Sequence, residues 1–377
     1  MTDQSIRTAL VGCGYWGPNL ARNIAANGSM SLAAICDQSA AVRDEFSKRY
    51  PEAALYDTAN SLLGDETIDA VVLATPSGLH YRQALETLEA GKHVMVEKPL
   101  SHRVAEASEL IAAAEARDRI LMVGHTFLYN NIVQDVKTRI DSGELGDVLY
   151  AYAQRLNLGR FRQDSDVVWT LAPHDISILN YWFDALPQQV SARGSAFIHR
   201  QTDIAEVAFC QIDYPNDRIA HLHLSWLDPQ KRREMVIVGS DKMLVYDDAN
   251  SDRHIQIYDK SVAVDFHGES TDFADFSTRL RAGDLVVLGL QHLVVTQEAD
   301  GGESAPAQGG DDDTGHDDLK RLGNLEIGNA TVGAHDELAF RKHLIDNGPD
   351  ALKFGGFQRS PSIHSPVFLP SCNRMAL

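Results

Sequence analysis

Short apolar, β-branched runs recur along the first third of the chain at Ile6–Val11, Ser31–Cys36, Ala70–Ala74, His93–Val96 and Ile120–Val123. Segments with helical spacing of their apolar positions, such as Leu79–Ala90 and Val104–Ala116, separate them. Apolar strands alternating with helices predict a parallel sheet covered on both faces. From about Thr126 the pattern changes. Tyr150–Leu156, Gln189–Ala196, Ala205–Tyr214, Ile219–Leu227, Met235–Val238, Lys242–Tyr246 and His254–Tyr258 read as strands joined by turn chemistry such as Tyr214-Pro-Asn-Asp217. Such a succession predicts a second, mostly antiparallel sheet. Between its first two strands, Leu171–Phe183 reads as a helix entered through Pro173, with apolar residues at 176, 178, 179, 182 and 183.

The first strand run leads directly into Gly12-Cys13-Gly14-Tyr15-Trp16-Gly17, and Asp37 closes the second run twenty positions after Gly17. Strand, spaced glycines, helix and acidic residue in this order make a dinucleotide-binding βαβ unit, a Rossmann arrangement. Gly12 allows the tight turn, Gly14 lets the backbone approach a pyrophosphate, and Gly17 permits close helix packing. The helix from about Pro18 then aims its partly positive end at the phosphates. Tyr15 and Trp16 stand in the same loop. A carboxylate at Asp37 accepts hydrogen bonds from both ribose hydroxyls and repels a 2′-phosphate, so NAD is expected rather than NADP. The fold class expected is thus an α/β Rossmann parallel sheet plus an α+β domain with an open, mostly antiparallel sheet. Boundaries are expected at residues 1–125, 126–287 and 288–377.

Composition narrows the partners. The chain has 377 residues, 44% of them hydrophobic, enough for two cores. Its net charge of −19, with no basic cluster to offset it, argues against nucleic acid as a partner. The cysteines at 13, 36, 210 and 372 have no paired or metal-like spacing, so neither disulfide nor metal site is expected. The N-terminus lacks an apolar signal region and no apolar stretch approaches membrane-spanning length, which makes the cytoplasm the expected location. Glu298–Asp318 differs from everything before it, with eight acidic residues and no lysine or arginine, and reads as disordered or a loose loop. Beyond it, only Ala334–Asp346 reads as a helix.

Several polar residues stand at the predicted carboxyl edge of the first sheet, where open α/β folds place ligands. Glu97-Lys98-Pro99 follows the strand His93–Val96. The Lys98 ammonium there either holds a substrate hydroxyl and its developing oxyanion or is a surface charge before a turn proline. Thr75, Pro76 and His80 close another strand, and either contact the cofactor with Glu97 or cap the following helix. His174, in the first turn of its predicted helix, either exchanges a proton, with Asp175 or a backbone group fixing its tautomer, or is structural. Around these lie His125, Tyr129 and Asn130, then Arg155, Asn157, Arg160 and Arg162. The arginines suit a carboxylate or phosphate or belong to a solvated loop.

Taken together, these motifs resemble the Gfo/Idh/MocA oxidoreductases, named for glucose-fructose oxidoreductase, inositol dehydrogenase and rhizopine catabolism. The resemblance spans about residues 5–287. It rests on Gly12, Gly14 and Gly17, Ala74-Thr-Pro-Ser77 with His80, Glu97-Lys98-Pro99, Trp169-Thr-Leu-Ala-Pro-His-Asp175, Trp226-Leu-Asp-Pro229 and Val238-Gly-Ser240. It implies hydride transfer between a sugar or cyclitol carbon and nicotinamide, with Lys98 orienting the reacting hydroxyl and His174 removing its proton. It also implies a sheet domain often used for homo-oligomerisation. Gly124–Asn130 and Gln154–Arg160 look most like members acting in nucleotide-sugar or deoxysugar pathways. His125, Tyr129, Arg155, Asn157 and Thr170 are then the substrate-side residues beside Lys98 and His174. Two readings of the same fold stand as alternatives: an NAD-using glycoside hydrolase and a non-catalytic dinucleotide-binding protein.

The chain departs from the family pattern twice. Thr170 stands four residues before the histidine where members often have Asp or Asn, and its hydroxyl can hydrogen-bond substrate but cannot supply charge. Arg281-Ala-Gly-Asp284 leads in the family to an acidic, apolar helix and a final amphipathic helix that cover the nucleotide domain. After Val287 neither pattern is present, which reads either as a divergent extension or as a change of reading frame.

Overall fold

The computed structural model describes residues 5–159, 161–162, 165–201, 204–262 and 280–289. Arg160, the acidic stretch Glu298–Asp318 and the helix expected at Ala334–Asp346 lie outside these described residues.

The first sheet contains β1 (Ile6–Val11), β2 (Met30–Cys36), β3 (Ala54–Tyr56), β4 (Ala70–Leu73), β5 (His93–Val96) and β6 (Leu121–Val123). Its strands are all parallel, in the order β3-β2-β1-β4-β5-β6. Strand alternation sends Ala9 and Val11 to one face, against a core that includes Leu88 and Leu110, and Leu10 to the other, with Ala21 and Phe46. Those partners come from α4 (His80–Glu89) and α5 (Val104–Ala116) on one side, joined by Leu62 of α3 (Ala59–Leu63), and from α1 (Gly17–Ala26) and α2 (Ala40–Arg49) on the other. Burial on both faces explains the nearly unbroken apolar strands. The chain order reverses between β1 and β4, and open sheets bind ligands in the crevice this reversal leaves at their carboxyl edge.

The second sheet has the order β14-β13-β12-β11-β7-β10-β9-β8. Its strands are β7 (Val148–Leu158), β8 (Gln189–Ser195), β9 (Val207–Asp213), β10 (Ile219–Ser225), β11 (Leu227–Gly239), β12 (Met243–Asp247), β13 (Ile255–Val262) and β14 (Leu280–Leu288). All neighbours are antiparallel except β7 and β10, which run parallel from Ile219 beside Tyr150 to Ser225 beside Leu156. Ala151, Ala153, Ala208, Cys210, Leu222 and Leu224 face one side, packing with Ile178, Leu179 and Trp182 of α7 (Val167–Phe183) and Val133 and Val136 of α6 (Asn131–Asp141). On the opposite face Tyr150, Phe209 and Ile219 are exposed, with Phe209 stacked on His223 at 4.4 Å between ring centres.

One expectation is corrected here. Helix α7 begins at Val167, not at Leu171, because the Asp166 carboxylate caps the Trp169 N–H at 3.0 Å. Pro173 therefore lies inside the helix and His174 lies beyond its first turn. The segment Arg281-Ala-Gly-Asp284 lies within strand β14, which pairs with β13. A short apolar run such as Leu285–Leu288 does not by itself separate strand from helix, and the free edge of β13 decides the matter. No described helix is long and apolar enough to cross a membrane.

Candidate active site

The glycine loop has the geometry its spacing implies. Gly12 has φ +91°, and a Cβ there would lie 2.8 Å from the main chain of Ala74 and Thr75, at the end of β4. A Cβ on Gly17 would meet the Gly12 carbonyl oxygen at 2.9 Å, whereas at Gly14 nothing lies within 4 Å. Two glycines thus close the turn, and the third faces open space of the kind a pyrophosphate needs. The start of α1 carries no side-chain cap and no acidic residue, which leaves its N–H groups to an anion. Asp37 bonds to the protein on both oxygens, accepting from the Cys13 N–H at 2.9 Å and the Ser39 N–H at 2.9 Å. The carboxylate at the end of β2 thus braces the glycine loop. Tyr15 and Trp16 meet edge to face at 5.8 Å, and Tyr15 is 85% exposed. These residues fit a dinucleotide: an open cradle, uncapped donors and an acid at the second strand end.

The 3-10 turn Ser77–Leu79 follows Thr75 and Pro76. The Thr75 hydroxyl donates to Gln83 Oε1 at 2.6 Å. His80 is buried, with Nε2 2.8 Å from the Thr75 carbonyl and Nδ1 2.7 Å from the Pro99 carbonyl. Its expected role among the cofactor-binding residues is corrected accordingly, since both ring nitrogens are taken up inside the fold. Glu97 is buried too, its carboxylate packed so closely on Gly124 that a Cβ there would stand 3.2 Å from Oε1. Burial pushes its carboxyl above the ordinary range, opposed by Lys98.

Lys98 extends from the end of β5 to the second sheet's helix, where its ammonium donates to the Thr170 carbonyl at 3.0 Å. Thr170 stands one helical turn before His174, so this contact brings the lysine of one sheet to the histidine covering the other. Burial lowers the Lys98 ammonium to about 8, with Glu97 opposing and Arg155 and Arg162 adding to the shift. The Thr170 hydroxyl donates to the Asp166 carbonyl at 2.8 Å, so this residue serves Lys98 through its main chain.

His174 has its Nδ1 buried without a hydrogen-bond partner, and its ring leans on Phe127 at 5.0 Å. Burial, then Lys98, Arg155, His125 and Arg233, hold its pKa well below the ordinary imidazole value. Asp175 does not fix its tautomer. That carboxylate is buried in a two-pronged ion pair with Arg155, whose Nε lies 2.9 Å and Nη2 2.6 Å from Oδ1. Arg155, expected on the substrate side, is consumed by the same pair and stacks over Phe127 at 4.9 Å. A guanidinium buried in a strand needs a carboxylate partner more than it can serve a ligand.

The remaining candidates divide. Asn157 shares the inner face of β7 with Arg155, and its Oδ1 is a buried acceptor with no partner. His125 is buried directly after β6, and Tyr129 is 53% exposed at the end of the 3-10 turn Thr126–Tyr129. Asn130 is structural, its side chain capping α6 by accepting from the Ile132 N–H at 2.8 Å. Sequence reasoning missed Phe127, His102 and Glu206. His102 reaches Ser77 Oγ at 3.0 Å and stacks on Trp169 at 5.1 Å. Glu206 is buried and accepts from the N–H groups of Phe197, Ile198 and His199, which outweigh burial and keep its pKa low. Phe127 and His102 lack a local motif because their partners are remote in sequence, and Glu206 because it binds main-chain N–H groups that any residue supplies. Among the described residues no three His, Cys, Asp or Glu side chains stand together where they could hold a metal ion.

The model of the oxidoreductase family with an NAD-binding Rossmann fold, GFO_IDH_MocA, matches residues 6–125, and that of the GFO/IDH/MocA C-terminal domain matches residues 133–245. The chain belongs to this family. Similar proteins include an uncharacterized oxidoreductase of Streptococcus pneumoniae, 25% identical over 58% of this chain and 62% of its own length. UDP-N-acetylglucosamine 3-dehydrogenase of Acidithiobacillus ferrooxidans is 29% identical over 66% of this chain and 76% of its own. The chain thus spans less than two thirds of the first and about three quarters of the second. Among solved structures, the WlbA dehydrogenase of Bordetella pertussis in complex with NADH and UDP-GlcNAcA shares the fold, with a TM-score of 0.60, 23% identity and coverage of 65% of this chain and 78% of its own. As a GFO/IDH/MocA member, the chain carries its dinucleotide cradle on the first sheet and its candidate reacting groups where the second sheet's helix meets β5.

Proposed function

We propose that this GFO/IDH/MocA protein is an NAD-dependent dehydrogenase that oxidises a secondary hydroxyl of a sugar, nucleotide sugar or cyclitol. The contact between Lys98 and the Thr170 carbonyl carries the reading, because it sets an ammonium one helical turn from a neutral imidazole beside the dinucleotide edge. Bound NAD supplies the hydride acceptor. The chain supplies the rest. With a pKa of about 8, Lys98 is still charged at neutral pH, and its ammonium holds the substrate oxygen and favours the alkoxide. The depressed pKa of His174 keeps its ring neutral and able to accept the hydroxyl proton. A weak base suffices because Lys98 lowers the proton affinity of the oxygen it serves. Asn157 and Tyr129 complete the substrate side, Asn157 with its unpartnered buried Oδ1. The similarity to UDP-N-acetylglucosamine 3-dehydrogenase supports a nucleotide sugar within this class. The exposed face bearing Tyr150, Phe209 and Ile219 is where a second copy would associate.

Purified full chain mixed with NAD and a panel of nucleotide sugars, free sugars and inositols tests the reading. The expected result is NADH formation with at least one substrate. His174→Ala should then lower kcat by about 10²–10⁴-fold while NAD affinity holds. Measurable NAD binding with no reduction on any substrate would overturn it.

A further inference from the structure

His80 joins two segments that the proposed reaction needs in register. Its Nε2 lies 2.8 Å from the carbonyl of Thr75, on the strand end that packs against Gly12. Its Nδ1 lies 2.7 Å from the carbonyl of Pro99, the residue after Lys98. A carbonyl oxygen only accepts, so each contact needs a ring N–H, and a neutral imidazole has one. Burial drives the ring toward the neutral form and outweighs the two carbonyls, which favour the charged one. A neutral His80 therefore grips one carbonyl at a time, while the other contact sets lone pair against lone pair. Exchange between the two tautomers takes a proton from one nitrogen and returns one to the other, with no net change of charge.

A second connection runs in parallel. His102 bonds Ser77 Oγ at 3.0 Å and stacks on Trp169 at 5.1 Å with 27° between the planes. The next residue is Thr170, whose carbonyl receives Lys98 at 3.0 Å. Both holds on the lysine, one at its neighbour Pro99 and one at its ammonium, thus lead back to the loop Thr75–Ser77 at the dinucleotide edge.

We propose that His80 is a positioning residue for Lys98: by donating to either Thr75 or Pro99 it couples dinucleotide binding at the Thr75–Ser77 loop to the presentation of the lysine, with His102 and Trp169 as a second arm. The proposal rests on the role given to Lys98 above. His80 itself touches no substrate, being 1% exposed. A dinucleotide that draws on the Thr75–Ser77 loop biases the ring toward Pro99.

The test uses full-length protein with ¹⁵N-labelled histidine, whose ring shifts report which nitrogen carries hydrogen. On adding NAD, the His80 signal should move toward the Nδ1–H tautomer. In parallel, acylation of Lys98, followed by peptide mass analysis, should change rate with NAD in the wild type and not in His80→Ala. Among active proteins, His80→Ala should lower kcat about tenfold, the effect of one lost hydrogen bond, with NAD affinity retained. His80→Asn, which keeps one amide donor, should recover part of the loss. A doubly protonated ring, a tautomer indifferent to NAD, or an equal NAD effect on Lys98 labelling in the variant would each overturn the proposal. If His80→Ala does not fold, the wild-type tautomer and His80→Asn decide. A wild type that reduces no NAD would sink the proposed reaction, while the tautomer and labelling results would still decide the role of His80.

Discussion

The dinucleotide edge of the first sheet and the inner face of the second meet at Lys98 and His174, and they are built by opposite means. The first is a backbone device. Gly12, Gly14 and Gly17 act by what they lack, and Asp37 braces the loop by accepting main-chain N–H groups. The second is a side-chain device, in which Arg155 and Asp175 pair in the core and Phe127 touches both the guanidinium and the His174 ring. A backbone device is carried by glycines at fixed spacing, whereas a side-chain device depends on which side chains two elements bring together in the core.

The difference is sharpest when each device is broken. Arg155→Met should have the largest effect, because it strands a buried carboxylate. A loss of about 3–5 kcal/mol is expected in denaturant unfolding. Adding Asp175→Leu should return most of that stability while catalysis stays impaired. If the single variant unfolds like the wild type, the pair is not the support described. Gly12→Ala should cost less, roughly 1–3 kcal/mol from the strained φ, since the new Cβ meets main chain at 2.8 Å. Its signature is a weakened NAD affinity, measured by calorimetry, and unchanged affinity would show that the turn can shift.

A third expected effect is in the pH response of Lys98, the residue that joins the two devices. Its pKa falls from 10.5 to about 8 on folding, so between these values the unfolded chain holds more protons than the folded one. Stability should therefore rise with pH across that window, while turnover, which needs the ammonium, should fall as pH passes about 8. Lys98→Met should abolish the stability rise, and an unaltered slope in the variant would assign the effect to other groups.

The same contrast explains what could be read in the sequence. The nucleotide loop, Lys98 and the order of apolar strands were legible because spacing and period carry them. The three-residue strand β3 was not, being too short to show a period. Helix α7 was misread at its start because Pro173 resembles a first-turn proline, whereas Asp166 does the capping. Arg155 looked like a ligand-binding guanidinium because nothing in the local sequence shows that Asp175 would meet it in the core. His80 was placed with the cofactor by its motif, and only the fold shows its two carbonyls.

The single parallel pair in the second sheet bears on how the chain acquires its form. Because β7 lies between β10 and β11, it gains no neighbour in the sheet until residues near Ile219 have been made. Asp175, by contrast, emerges only twenty residues after Arg155. Closing a loop that short costs less entropy than closing either strand pairing. The ion pair beneath the histidine thus lies within one short stretch of chain, whereas the sheet that buries it waits for strands made later.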